Sequence, residues 1–186
     1  MLDSPADCFA VAGSWESGRY RKQDPPANET GKPGIVDMDH VAAGSHDVGF
    51  VWTAFTRGYH FNLYDKPFES PDSEGPTWEC IRYNVGKTVE YANKIDLVHV
   101  QLRPDLASTG FCLAKPGYEY IVYQPSCSSF TVSDLHAGGS YYYEWYNPEQ
   151  HEVVGTGRVE TANSTKSFTP ANESMVLYLK RSQDGD

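Results

Sequence analysis

The sequence predicts an α+β chain, the end of a parallel α/β domain followed by an antiparallel β-sandwich. Two observations carry this. In the first half, apolar periodicity runs strand, helix, strand, helix, the grammar of a parallel sheet. After residue 109, turn compositions recur about every 8–12 residues with no helical period between them, the mark of a sandwich or barrel. The change falls near residue 106, so residues 1–106 and 107–186 read as two parts.

Residues 1–34 contain Pro5, Gly13, Gly18, Pro25, Pro26, Gly31 and Pro33, which break every period. They read as a long surface loop with at most one helical turn, shaped like a βα loop that has lost its preceding strand. Gly34-Ile35-Val36-Asp37-Met38-Asp39-His40 reads as a short strand ending in polar residues. Val48 to Arg57 reads as a helix stopped by Gly58. Tyr59 to Asp65 alternates like a strand, and a polar loop follows from Lys66 to Gly75. Pro76 to Ile95 is the strongest helix. Trp78, Ile81, Val85, Val89, Ala92 and Ile95 recur at steps of three and four, a stripe expected to pack on the strand around Phe61 and Leu63.

The second half reads as strands near 109–114, 118–124, 129–133, 140–146, 151–155, 157–161, 166–169 and 175–180. Between them sit turns such as Lys115-Pro116-Gly117, Ala137-Gly138-Gly139 and Asn147-Pro148-Glu149.

Composition narrows the function classes. A chain of 186 residues suits one large domain or two small ones. Twenty-five acidic against 15 basic residues give a formal charge of -10, which argues against nucleic-acid binding, since that rests on cationic surfaces. No apolar run approaches the length that spans a bilayer. Met1-Leu-Asp-Ser-Pro lacks the charged and apolar regions of a signal peptide. The chain is therefore read as cytosolic or as part of a longer secreted precursor, hence extracellular, and the two-part organisation favours the second. Cys8, Cys80, Cys112 and Cys127 lie far apart, as isolated thiols or as one or two disulfides, with no spacing for a metal. No Gly-rich phosphate loop is visible, so neither cofactor nor metal is expected. Aromatic residues reach 13%, with 13 Tyr and 4 Trp. These fit pleated strands, or sugar binding through rings stacked on pyranose faces.

Ile35 to His40, followed by Phe50-Val51-Trp52 and Phe55-Thr56-Arg57-Gly58, resembles strand seven and the following helix of the apiosidase-like (β/α)8 glycoside hydrolases. Leu63-Tyr64-Asp65 stands where those proteins carry their next strand signature, from which Tyr64-Asp65-Lys66 departs, and Met38 replaces a usual Thr. Arg103 to Ala114 is similar to the joint between that barrel and its C-terminal domain. The rest, through Trp145-Tyr146-Asn147-Pro148, Ser167-Phe168-Thr169-Pro170 and Val176 to Leu179, resembles the collagen-binding-type sandwich of the family. The resemblance implies the last two βα units of a barrel, a partial barrel end, joined to that sandwich.

It also implies roles. Asp37 and Asp39 stand at the carboxyl end of a barrel-type strand, where such enzymes place their chemistry, and are the catalytic candidates. His40, Arg57 and His60 are candidates to hydrogen-bond sugar hydroxyls. In Tyr141 to Tyr146, alternation sends Tyr141, Tyr143 and Trp145 to one face and Tyr142, Glu144 and Tyr146 to the other. One face must be core. Tyr142 and Tyr146 on the other are a sugar platform or merely a wet face. Glycoside hydrolysis normally needs two carboxylates about 5–10 Å apart, drawn in barrels from different strands. The chain then holds at most half the pair. Three functions remain: the C-terminal portion of a polysaccharide-degrading hydrolase, inactive or feeble alone; a carbohydrate- or collagen-binding module; or a buttress for the barrel. Expected partners are a poly- or oligosaccharide and, through exposed sheet edges, a second copy or a chain completing the barrel.

Overall fold

The computed structural model describes residues 6–11, 25–37, 48–62 and 76–182. Three short parallel strands come first, β1 (Phe9–Val11), β2 (Gly34–Asp37) and β3 (Tyr59–Asn62), side by side in that order. Helix α1 (Gly49–Thr56) crosses from β2 to β3, and α2 (Pro76–Lys94) follows β3. Gly58, at φ +83°, takes the left-handed conformation that ends α1 and starts β3. Gly34 opens β2 where a Cβ would come within 2.7 Å of the Tyr59 ring.

Two expectations change here. Strand β1 lies inside the stretch read as irregular. Three residues are too few for a period to show, and the strand is set from outside by parallel pairing of Phe9 with Gly34 and Val11 with Val36, and by the edge of Phe9 on Tyr59 at 6.1 Å. The parallel sheet thus has three strands, not two. The second change concerns α2, whose extent matches but whose buried stripe is Ile81, Asn84, Thr88, Tyr91 and Ile95, while Val89 is 56% exposed. Val85 and Ala92 only flank it. The expected stripe counted apolar residues alone, and two of the five inward positions are polar and hydrogen-bonded. Leu63 and the Trp78 side chain fall outside the described residues.

The second half is antiparallel. Strands β4 (Gln101–Leu102), β5 (Cys112–Lys115), β6 (Glu119–Gln124), β7 (Phe130–Val132), β8 (Gly139–Asn147), β9 (Glu152–Thr161), β10 (Lys166–Phe168) and β11 (Met175–Arg181) form a six-stranded sheet ordered β4-β5-β6-β11-β8-β9 and a two-stranded sheet of β7 and β10. The described residues after 106 hold no α-helix. The two strands expected near 151–161 are one, β9, with a register shift opposite Trp145/Tyr146 absorbing the irregularity.

Packing stacks these parts. Phe130, Val132 and Phe168 of the small sheet close one face of the large sheet, against Cys112, Tyr120, Val122 and Leu177. Trp52 and Phe55 of α1, with Tyr91 of α2 and Ile95 just beyond it, close the other face, against Ile121, Tyr123, Tyr146, Val176 and Tyr178. On their far side the helices bury Phe50, Val51, Ala54 and Ile81 against Val36 and Tyr59 of the parallel sheet. Helix α1 therefore lies between two sheets, which is why all eight of its residues are buried. The cluster between the helices and the large sheet thus joins the two parts of the chain.

Candidate functional site

The carboxyl ends of the parallel strands carry the candidate site. Register sets Asp37, the last residue of β2, beside Asn62, the last of β3, and Ile35 beside His60. His60 and Asn62 are exposed, on the face opposite the buried Tyr59. The parallel pairing thus gathers Asp37, Asn62 and His60 within two residues of one strand end. Asn62 was not singled out from sequence, where nothing distinguished it from other polar strand residues. The Asp37 side chain, Asp39 and His40 lie outside the described residues.

Arg57 does not join them. A βαβ crossover returns the chain to the start of the next strand, so the end of α1 lies at the opposite end of the sheet from Asp37. There the Arg57 guanidinium covers the Phe111 ring at 4.7 Å and donates from Nη1 to the Pro25 carbonyl. It ties the segment before β2 to the antiparallel part.

Tyr142 and Tyr146 lie on a face closed by the helices, not on a wet one. Tyr146 is fully buried, its ring 5.4 Å from Trp52 and 6.0 Å from Tyr91, leaving no face for a pyranose. Its hydroxyl donates to Asn84 Oδ1 at 3.2 Å. Tyr142 is half-buried in the same cluster and donates to Glu144 Oε2 at 3.2 Å.

Between helices and sheet run polar contacts that the sequence did not announce. Asn84 accepts from Trp52 Nε1 at 2.9 Å and donates to the carbonyls of Cys80 and Pro148, each at 2.9 Å. Glu144 receives the Tyr91 hydroxyl and Lys94 Nζ, both at 2.7 Å. Burial pushes the Glu144 carboxyl up, but the hydrogen bonds from Lys94 and Tyr91 outweigh it and hold it below its ordinary value. Burial and the adjacent Glu144 both raise the Tyr91 phenol, so it stays a donor. Glu119 accepts from Tyr178 at 2.6 Å and from the Asp96 amide at 3.1 Å. Both carboxylates are buried and occupied, so they fasten layers and are closed to a substrate. Cys80 and His151 also meet across this seam, Sγ to Nε2 at 2.9 Å. All four cysteines are free thiols. Among the described residues no three His, Cys, Asp or Glu are arranged to hold a metal ion, and no helix is long and apolar enough to cross a membrane.

An apolar groove lies along β3 and α2, lined by Phe55, Phe61, Val85, Val89 and Ala92 with His60 at its rim. Strands β1 and β3 each pair with β2 alone among the described strands.

No protein-family model matches the chain, and no curated protein matches it. Among solved structures it is similar to a glycoside hydrolase at 13% identity (TM-score 0.44, 81% of this chain and 43% of that one). It is also similar to a family 5 glycoside hydrolase from Bacteroides vulgatus at 12% identity (TM-score 0.48, 80% and 42%). A third is a candidate glycoside hydrolase from the same organism at 12% identity (TM-score 0.49, 81% and 36%). The chain spans less than half the length of each. Likeness at this level says nothing of activity or substrate.

Proposed function

We propose that this chain is the C-terminal portion of a secreted, polysaccharide-degrading glycoside hydrolase of the apiosidase-like type. In this reading β1–β3, α1 and α2 are the last part of a (β/α)8 barrel, and the antiparallel part buttresses its outer helices. The observation that supports it best is the parallel sheet. Its strands follow in chain order, β2 and β3 are joined by a helical crossover, Asp37 and Asn62 share the carboxyl end, and among the described strands each edge strand pairs with β2 alone. Barrel enzymes place their chemistry at that end. The open groove at β3 fits a position where a further strand and helix would pack.

Asp37 or Asp39 supplies one carboxylate, and the second comes from a strand outside this chain, so the chain alone does not turn over substrate. In this reading His60 and His40 are the residues that hydrogen-bond sugar hydroxyls. The buttress role rests on the core shared by helices and sheet. Hydrolysis of aryl glycosides and of pectic and hemicellulosic polymers tests the proposal. It should be absent for this chain alone, present for a longer polypeptide supplying the remaining strands, and lost there in Asp39→Asn or Asp37→Asn. Robust turnover by the chain alone, lost in Asp39→Asn, would overturn the incomplete-site reading.

A further inference from the structure

On the face of the large sheet turned away from the helices, two aromatic residues of β8 stand opposite two glycines of the edge strand β9: Tyr143 opposite Gly157, Trp145 opposite Gly155. Glycine inside a strand weakens it and marks a place where something approaches closely. At Gly157 that something is internal, because the Tyr143 ring lies flat on the backbone, 2.8–2.9 Å from where a Cβ would stand. At Gly155, which borders the register shift opposite Trp145/Tyr146, no described residue lies within 4 Å of the Cβ position, so the space over it is open among the described residues. The result is a shelf beside Trp145, whose ring is held upright by the edge-to-face contact with Phe130 at 6.1 Å and 87°. The small sheet covers this face fully at Tyr120 and Tyr141 but leaves Tyr143, Trp145 and Val159 only partly buried.

Neither Tyr143 Oη nor Trp145 Nε1 bonds to a described residue, and no buried side-chain nitrogen or oxygen lacks a partner, so both polar atoms reach solvent. Alternation sends Glu144, Arg158 and Glu160 to the opposite face, so the partners of Tyr143 and Trp145 on both neighbouring strands, Gly157, Gly155, Leu179 and Leu177, carry no charge, and Arg181 stands one pair further along, opposite Tyr141.

We propose that Tyr143 and Trp145, with the shelf over Gly155, form a binding site for a neutral polysaccharide. The rings stack on apolar pyranose faces while the indole N–H and the phenol engage hydroxyls. With no charge among the register partners of Tyr143 and Trp145, the chain's overall charge of -10 favours neutral over anionic glycans. The site stands whether or not the parallel strands belong to a barrel, and it lies on the face opposite Tyr142 and Tyr146.

The test is native affinity electrophoresis of the whole chain in gels containing galactomannan, xyloglucan or hydroxyethyl cellulose, with polygalacturonate for comparison. Retardation by at least one neutral polymer is expected, with a dissociation constant on the order of 10 μM to 1 mM and little effect of salt. Trp145→Ala should weaken it at least tenfold and Trp145→Tyr should largely retain it. Gly155→Thr decides whether the shelf or the fold is at stake, since a side chain there clashes with nothing and suits a strand. It should abolish binding with the melting temperature unchanged or raised. If wild type is retarded by no neutral glycan, whatever its oligomeric state, or if Gly155→Thr and Trp145→Ala bind like wild type, the proposal falls.

Discussion

The carboxylate of Glu144 on β8 and the ammonium of Lys94 on α2 meet at 2.7 Å through both oxygens, fifty residues apart in sequence. Around them the seam between helices and sheet is rich in aromatic rings: Lys94 also sits 4.4 Å over the Tyr178 ring, and Tyr91 stands edge-on to Tyr178. Apolar burial is non-directional, so it would tolerate the helices sliding over the sheet. The directed contacts of Glu144 and Asn84 admit one register.

Asn84 is the more deeply buried of the two, at 0% exposure, and joins α1, α2, β8 and the β8–β9 turn. Asn84→Leu keeps the branched shape but strips partners from the Trp52 indole, the Tyr146 hydroxyl and the Pro148 carbonyl. A loss of about 3 kcal/mol is expected in urea unfolding, the scale of leaving several buried polar groups unmade.

Glu144 predicts a pH signature. Its folded-state value lies below its ordinary 4.5, so its contribution is fully present above that value and fades as pH falls through the lower folded one. Glu144→Gln should cost roughly 1–2 kcal/mol at neutral pH, moderated because Lys94 is partly solvated. The gap from wild type should hold down to about pH 5 and narrow below it. A gap that widened in acid would contradict the assignment.

Much of the fold was legible because its elements are regular. The 3-4 spacing along α2, the stop at Gly58 and the turn compositions after residue 109 each act locally, and the structure follows them. What escaped the sequence is decided at long range. Three residues of β1 are a strand only because β2 lies alongside. Asn84 points inward because partners on α1, β8 and the turn after it await it, Thr88 satisfies its hydroxyl on the Val85 carbonyl of its own helix, and no apolar count finds a buried asparagine. The Tyr141–Tyr146 alternation was readable, but which face stayed open depended on where two helices from the first half of the chain would dock. Of the candidate site, the placement of Asp37 at a strand end was readable. The separation of Arg57 from it follows from crossover direction, and the neighbour Asn62 follows only from register.

The pairing of β3 with β2 alone among the described strands, and the apolar groove beside it, predict association. Light scattering of the isolated chain should show mass rising with concentration. Val89→Glu, placing a charge at an exposed groove position, should shift it toward monomer at little cost in stability. A wild-type chain that stayed monomeric at high concentration would count against an unfilled barrel edge.

The four thiols should report the layers in order. Cys8 and Cys127 are exposed, Cys80 is partly covered and Cys112 is enclosed between the large and small sheets. The thiolate is the reactive form, so a raised value slows reaction as burial does. Burial, then the nearby Glu149 carboxylate, raises Cys80, and burial pushes Cys112 up to about 12. With a disulfide reagent at pH 8, two thiols should titrate at once and Cys80 more slowly. Cys112 should titrate at the rate of unfolding, a rate Asn84→Leu need not share if the small sheet stays seated when the helices loosen. Assignment rests on single Cys→Ser variants of Cys8, Cys80 and Cys127 and on Cys112→Ala. If Cys112 reacted in step with Cys80 under native conditions, the small sheet would not be a closed layer over it. In that case the antiparallel part would open as readily on its outer face as at its seam with the helices.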